Sequence, residues 1–435
     1  MRYWNLMLNK LYLILIVLIC SAISAYSQVN TSSPYSRFGL GEIQKPGFIK
    51  NLSMGSTGIA LRTNNQINYL NPASYTATDT LSFLFDFGIN TYKNFYISND
   101  DKASMTNVNL HHIALSFPVT RWWKSAVGIV PYSSVGYNIK ESLNIAGIGA
   151  IDNFYEGNGG LNKFFIGNAI NLFDRLNIGF NLNYLFGYIN YSRTVRILSD
   201  NSSAVPRSEN NLDVSDLTYH FGMQYTETIK DKYFITLGAT YENKTDLSTN
   251  SRIFSQIQFP GQTAQLNDSV FISTLFPIRD ESAKGFISYP NNIGLGISLG
   301  IKNVLTITGD YVMQDWSNTT IMGKTDSLVN SGSMHFGAEY IPSTSSLSSY
   351  VSRIQYRLGG YYSNSYIGLR GVQINDYGMT FGVGLPFRST KTSFNIGCIL
   401  GQRGTLKNNL IKENYGIFHI GVTLHDIWFR KSKYD

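Results

Sequence analysis

Gly296-Ile297-Ser298-Leu299-Gly300 has the G-x-S-x-G spacing of a nucleophile elbow, in which a serine on a strand-to-helix turn attacks an acyl carbon. Here Ile293, Leu295, Ile297 and Leu299 alternate through the motif, so it reads as mid-strand and offers no such turn. His111 and His112 come nearest to a metal pair. Adjacent strand residues point to opposite faces, so the sequence predicts that they share no ligand. His220, His335, His419 and His425 are scattered, and no Cys/His spacing suits zinc. No catalytic residue, metal or cofactor is therefore expected, and the chain reads as a non-enzyme. Arg353 and Arg357 are different. The alternation puts them on one face with Asp86, His220, Glu242, Asp310, His335, Glu339 and His419. Those groups can pair with one another and with Arg37, Glu42 and Arg62 as a structural network. A sharper reading makes Arg353 or Arg357 the counter-ion of a ligand carboxylate.

The elements that carry these residues share one rhythm. From Leu81 onward, roughly ten residues alternate apolar with polar or glycine, and then a turn follows. Leu176, Ile178, Phe180, Leu182 and Tyr184 interleave with Asn177, Gly179, Asn181 and Asn183, which puts Phe180 outward and Asn181 inward. Fourteen such segments run between 81–92 and 411–428; they include 124–139, 232–253, 286–300 and 351–365. Tight reversals at Trp122, Phe173-Asp174, Lys230-Asp231, Ile301-Lys302 and Arg388-Ser389 alternate with long links at 140–156, 197–211 and 254–285. Short turns on the periplasmic side and long loops outside are the habit of bacterial outer-membrane barrels. The expectation is an all-β chain: a 14-stranded antiparallel transmembrane β-barrel in the outer membrane of a Gram-negative bacterium. Trp122, Trp123 and Trp428 stand at segment ends, the place of an interfacial aromatic girdle.

Composition agrees. Of 435 residues only 14% are charged, against roughly 25% in a typical soluble domain. Aromatics also reach 14%, which excludes global disorder. A soluble sandwich would surround its apolar faces with more charge. The basic residues form no stripe, so nucleic acid is not an expected partner.

Arg2 and Lys10, the apolar run Leu11 to Cys20, and Ala25-Tyr26-Ser27 read as a cleaved export signal over 1–27. The mature chain keeps Cys398 alone, so no intrachain disulfide is possible. Residues 28–80 do not alternate. They carry Phe38, Leu40, Phe48, Ile49, Met54, Ile59 and Leu61 among glycines, prolines and polar clusters. That composition predicts a compact hatch plugging the barrel of 81–435, which would otherwise enclose an aqueous hole.

With Asn71-Pro72-Ala73 just before the first strand and Ser33-Pro34-Tyr35-Ser36-Arg37-Phe38-Gly39 near the hatch opening, the chain resembles the FadL/TodX family of outer-membrane channels. The resemblance spans nearly the whole mature chain as architecture. It implies passage of hydrophobic molecules, such as long-chain fatty acids, past a plug, with membrane lipid and hydrophobic small molecules as partners. A related branch implies the alternative: an outer-membrane partner in protein secretion that holds exported cargo proteins. The ending Trp428-Phe429-Arg430-Lys431-Ser432-Lys433-Tyr434-Asp435 departs from the usual terminal aromatic. Pro131 is the proline most clearly in mid-strand, and proline cannot donate to a ladder. Beside the resemblance, it implies a kinked third strand and a lateral gap near Asn71, Pro72 and Ala73. Those four residues, with Arg353 and Arg357, are the expected ligand-binding or gating set.

Overall fold

The computed structural model describes residues 31–427 except 100, 148, 174, 199–204, 267–269, 324–326, 346 and 388–390. The expected export signal, the Arg388-Ser389 reversal, Trp428 and the C-terminal ending lie outside the described residues. The barrel strands are β1 Ser82–Ile97, β2 Lys102–Pro118, β3 Trp123–Ile145, β4 Gly149–Leu172, β5 Leu176–Ile197, β6 Val205–Ile229, β7 Tyr233–Glu242, β8 Asn292–Ile301, β9 Leu305–Gln314, β10 Ser331–Tyr340, β11 Gln355–Leu369, β12 Val372–Pro386, β13 Ser393–Gly404 and β14 Lys412–Ile427. Each pairs antiparallel with its neighbours, and β14 closes on β1 from Lys412↔Ile97 to Ile427↔Ser82. The fold is the expected closed 14-stranded antiparallel barrel.

The alternation explains why these stretches form this wall. Along β8, Ile293, Leu295, Ile297 and Leu299 are exposed outward, Leu295 by 57%, while Ser298 turns inward and is 1% exposed. Such an apolar outer band is suited to lipid and would be costly in water. Closure gives every barrel strand a partner on each side.

The long links differ from expectation. Most of 140–156 is a hairpin in which β3 and β4 stay paired out to Ile145↔Gly149. Segment 232–253 breaks at Asn243-Lys244, and the chain leaves the barrel as a hairpin of Thr245–Leu266 and Val270–Tyr289. The first arm pairs with the upper part of β6, from Val205↔Gln258 to Val214↔Thr249. The chain re-enters at β8, after Pro290, which cannot donate to a ladder. Segment 351–365 starts late: Arg353 sits on the one-turn helix Tyr350–Arg353, and the strand begins at Gln355. Arg353 is therefore not on an inward strand face, and its guanidinium carbon lies 5.3 Å from the Tyr350 ring centroid.

Residues 31–80 contact inward-facing groups around most of the wall. They form the turn Pro34–Arg37, the two-residue strand Glu42–Ile43, the short helix Ile49–Ser53 and the turn Pro72–Ala77. Phe48, Ile67 and Tyr75 pack with Leu84 and Phe165 toward the short-turn end. Leu40 packs with Val135, Leu161, Leu185, Trp316 and Tyr366 toward the hairpin end.

Candidate functional site

The wall parts in one place. The β2–β3 ladder runs only from Pro118↔Lys124 to Ile113↔Ile129. Beyond it, β2 stays paired with β1 as far as Lys102↔Ile97, and β3 with β4 as far as Ile145↔Gly149. Pro131 stands two residues past the last β2–β3 pair and brings no backbone donor. The β3–β4 register shifts between Pro131 and Ser133, so Tyr132 is an extra residue and the strand bends there.

The N-terminal segment takes the edge that β2 leaves. Glu42 and Ile43 pair with Ser134 and Ser133, and Gln44 donates its backbone N–H to Tyr132 O at 2.9 Å. Gly41 allows this approach: its φ is +92°, and a Cβ there would stand 2.6 Å from Ser134 O. Higher up, Gly136 N–H donates to Ser36 Oγ at 3.0 Å on the β3 side. On the β2 side, Asn107 Nδ2 donates to Ser32 Oγ at 2.7 Å. Residues 32–44 thus line the seam where the two strands separate.

A cavity of about 160 Å³ opens at the seam, lined by Leu110, His111, His112, Ile129, Pro131 and Gln44 among others. A luminal cavity of about 260 Å³ shares Gln44, Val130 and Pro131 with it. Pro131 therefore stands between the interior and the parting of the wall.

The adjacent histidines correct one premise of the sequence reading, that they point to opposite faces. The β1–β2 register shifts between Gly88 and Ile89, leaving His111 as a bulge residue without a ladder partner. The bulge brings both rings together: His111 Nδ1 and His112 Nδ1 lie 2.8 Å apart, and His112 Nε2 meets Asp86 Oδ1 at 2.8 Å. Phe48 stacks on His112 with centroids 3.9 Å apart. Strict alternation hid this cluster, because a bulge resets which face a side chain takes. Among the described residues no group of His, Cys, Asp and Glu is arranged to hold a metal ion.

Asn71-Pro72-Ala73 lies elsewhere. Asn71 Oδ1 accepts from Ala73 N–H at 3.1 Å, and its Nδ2 donates to Ile59 O at 2.7 Å and Met223 O at 3.1 Å. The motif presses on β5 and β6 where these carry Gly179 and Gly222; a Cβ at Gly179 would overlap the Pro72 and Ala73 backbones. Asn71, Pro72 and Ala73 thus anchor the segment to the wall of β5–β6, and the segment's contact with β3 near Pro131 is made by Gly41 to Gln44. That stretch carried no signal beyond Gly41 and the charge of Glu42.

Arg357 is 4% exposed and fully engaged. Its Nε donates to Glu339 Oε2 at 2.7 Å, Nη1 to Asn395 Oδ1 at 2.8 Å, and Nη2 to Gln355 Oε1. Lys50 of the N-terminal segment holds the other Glu339 oxygen at 2.7 Å. The luminal cavity repeats this habit. Lys163 pairs with Glu242 at 2.9 Å, Lys45 with Asp376 at 3.0 Å, and Arg403 with Glu42 at 2.7 Å. Ser298, the serine of the elbow pattern, lies in β8, and its buried Oγ has no hydrogen-bond partner among the described residues.

The fold is that of known channels. The crystal structure of the Pseudomonas putida toluene transporter TodX superposes with a TM-score of 0.59 at 13% identity, over 88% of this chain and 98% of that one. The CymD monoaromatic hydrocarbon channel gives 0.57 at 13% identity, over 90% and 100%. A Pseudomonas aeruginosa FadL homologue gives 0.56 at 10% identity, over 88% and 99%. Among curated proteins none matches the chain significantly. One protein-family model, described as BamG, matches residues 7–435. The molecule is an outer-membrane β-barrel of the Gram-negative type.

Proposed function

The chain belongs to the BamG family, and from that premise we propose that it is a channel through which hydrophobic molecules cross the outer membrane. The observation that carries this reading is the end of the β2–β3 ladder at Ile113↔Ile129, with Pro131 between the luminal cavity and the seam. An apolar molecule entering from the hairpin end would meet the cluster of Leu40, Val135, Trp316 and Tyr366. It would leave sideways past Pro131 into the bilayer, without crossing periplasmic water. Residues 28–80 serve as the hatch, tied down by Asn71, Pro72 and Ala73, and the seam-lining stretch near Gln44 is the part that moves. Likeness in fold to channels for toluene and other monoaromatic hydrocarbons supports the class of cargo. Long-chain fatty acids are the finer candidate. No observation here favours the alternative of a partner holding exported proteins.

Pro131→Val tests the route. It restores a backbone donor and removes the ring, so β3 can straighten toward β2. Uptake of a hydrophobic probe by cells with matched barrel levels should fall, with folding unchanged or slightly improved. Undiminished uptake would remove the lateral route, and no uptake of any hydrophobic probe by the unmodified protein would remove the channel reading.

A further inference from the structure

The outer wall carries a groove that belongs to neither the lumen nor the seam. It opens over β12, β13, β14 and β1 with a volume of about 690 Å³. One row of outward positions crosses these strands as Met379, Leu400, Gly416 and Lys93, each paired with the next. Met379 and Leu400 stand exposed on the rim, and Gly416 leaves the floor between Leu400 and Lys93 without a side chain. A Cβ at Gly416 would find only Leu400 Cδ2 within 4 Å, at 3.7 Å. The space over it is open to the bilayer.

The groove lies where the wall changes character. On the outward face of β1, Phe83, Phe85, Phe87 and Ile89 lead up to Lys93. In the row above Lys93 stand Tyr377, Gln402, Asn414 and Phe95. This is the headgroup level at the hairpin end, where tyrosine rings and snorkelling lysines settle. Lys93 Nζ lies 5.6 Å from the Phe95 ring centroid. About 13 Å higher along the strands, Lys412 and Lys102 flank Ile97 in one outward row. Among the described residues the lysines held in ion pairs are Lys45, Lys50, Lys140, Lys163 and Lys391, and none of these three. Of the adjacent carboxylates, Glu413 faces inward to Arg403, and Asp101 stands in the β1–β2 turn next to Lys102. The face is therefore positive above an apolar groove.

We propose that this face holds a glycolipid of the outer leaflet that bears two phosphates. One acyl chain lies in the groove over Gly416, Lys93 meets a phosphate at its mouth, and Lys412 and Lys102 meet the headgroup above. An interfacial lysine alone attracts any anionic headgroup. Two lysine rows about 13 Å apart favour a headgroup with two phosphates over one with a single phosphate, and the missing side chain at Gly416 gives one chain a fixed place beside them. The inference uses the outer wall alone and stands apart from the channel reading.

Native mass spectrometry of the purified full chain, released from non-ionic detergent after titration with bis-phosphorylated lipid A, dephosphorylated lipid A or phosphatidylglycerol, tests it. One bis-phosphorylated lipid A should be retained per chain, about tenfold more tightly than the dephosphorylated form. Lys93→Gln should weaken the phosphorylated form about fivefold, the size of one lysine near an anionic surface, and leave the dephosphorylated form unchanged. Gly416→Leu fills the groove from the lipid side and should weaken both forms. Neither substitution touches the packed interior, so both variants fold. Lys302→Gln, in the β8–β9 turn at the other end of the barrel, should change nothing. Equal binding of the two lipid A forms, or phosphatidylglycerol held as tightly as lipid A, would overturn the two-phosphate glycolipid. An equal loss in Lys302→Gln would mark unspecific charge attraction, and unchanged binding in Gly416→Leu would remove the groove; either result would overturn the site.

Discussion

At the scale of single residues, what a side chain does here depends on which face of the pleat it takes and whether the N-terminal segment reaches it. Phe336 is 63% exposed on the outer face of β10. Phe336→Arg at mid-depth should cost roughly 2–4 kcal/mol in reversible refolding into lipid. Arg357→Ala removes one of two cations from Glu339 in a buried site, and should cost roughly 3–5 kcal/mol in the same assay. A loss below 1 kcal/mol, the range of an exposed pair, would mean that the network is solvated. The inward face of Asn181 was legible from alternation. Its neighbourhood was not: it meets Tyr75 Oη at 3.0 Å rather than lumen water, because the partner comes from more than a hundred positions away. Arg353 was misplaced for a local reason, since the turn before β11 winds one helical turn that alternation cannot register.

At the scale of elements, the strands were readable because closure demands one face for lipid and one for the interior at every second residue. Exceptions arise where that demand lapses. Above the bilayer both faces can be polar, so alternation marks no strand in the links at 140–156 and 254–285, although most of each is paired hairpin. The His111 bulge and the parting after Ile129 are departures from register, and only Pro131 announced one of them. The orientation can be tested at two turns. Ala146, at the β3–β4 hairpin tip, and Asp231, between β6 and β7, lie at opposite ends. In a Cys398→Ser background, Ala146→Cys should react with a membrane-impermeant maleimide on intact cells and Asp231→Cys should not. Reaction at 231 alone would invert the barrel.

At the scale of the whole molecule, the barrel and residues 31–80 share one interior. Gly58 and Ile59 bond to β9, Gly55 N–H to Thr380 of β12, Lys50 to β10, and Asn71 to β6. Deleting 28–75 would leave those inward groups to water and open the lumen. Cells carrying the deletion should become sensitive to small polar antibiotics at matched barrel levels; unchanged sensitivity would mean that the segment is not the plug. The central claim is narrower: cargo leaves between β2 and β3. Leu110 and Ile129 line the same seam cavity from those two strands. The decisive measurement is uptake of a hydrophobic probe by Leu110→Cys/Ile129→Cys/Cys398→Ser, which keeps Pro131, before and after a reducible thiol cross-linker spans the seam. Uptake should fall to the level of cells lacking the barrel on cross-linking and return on reduction. Uptake that continues unchanged through a fully cross-linked seam would contradict the lateral route.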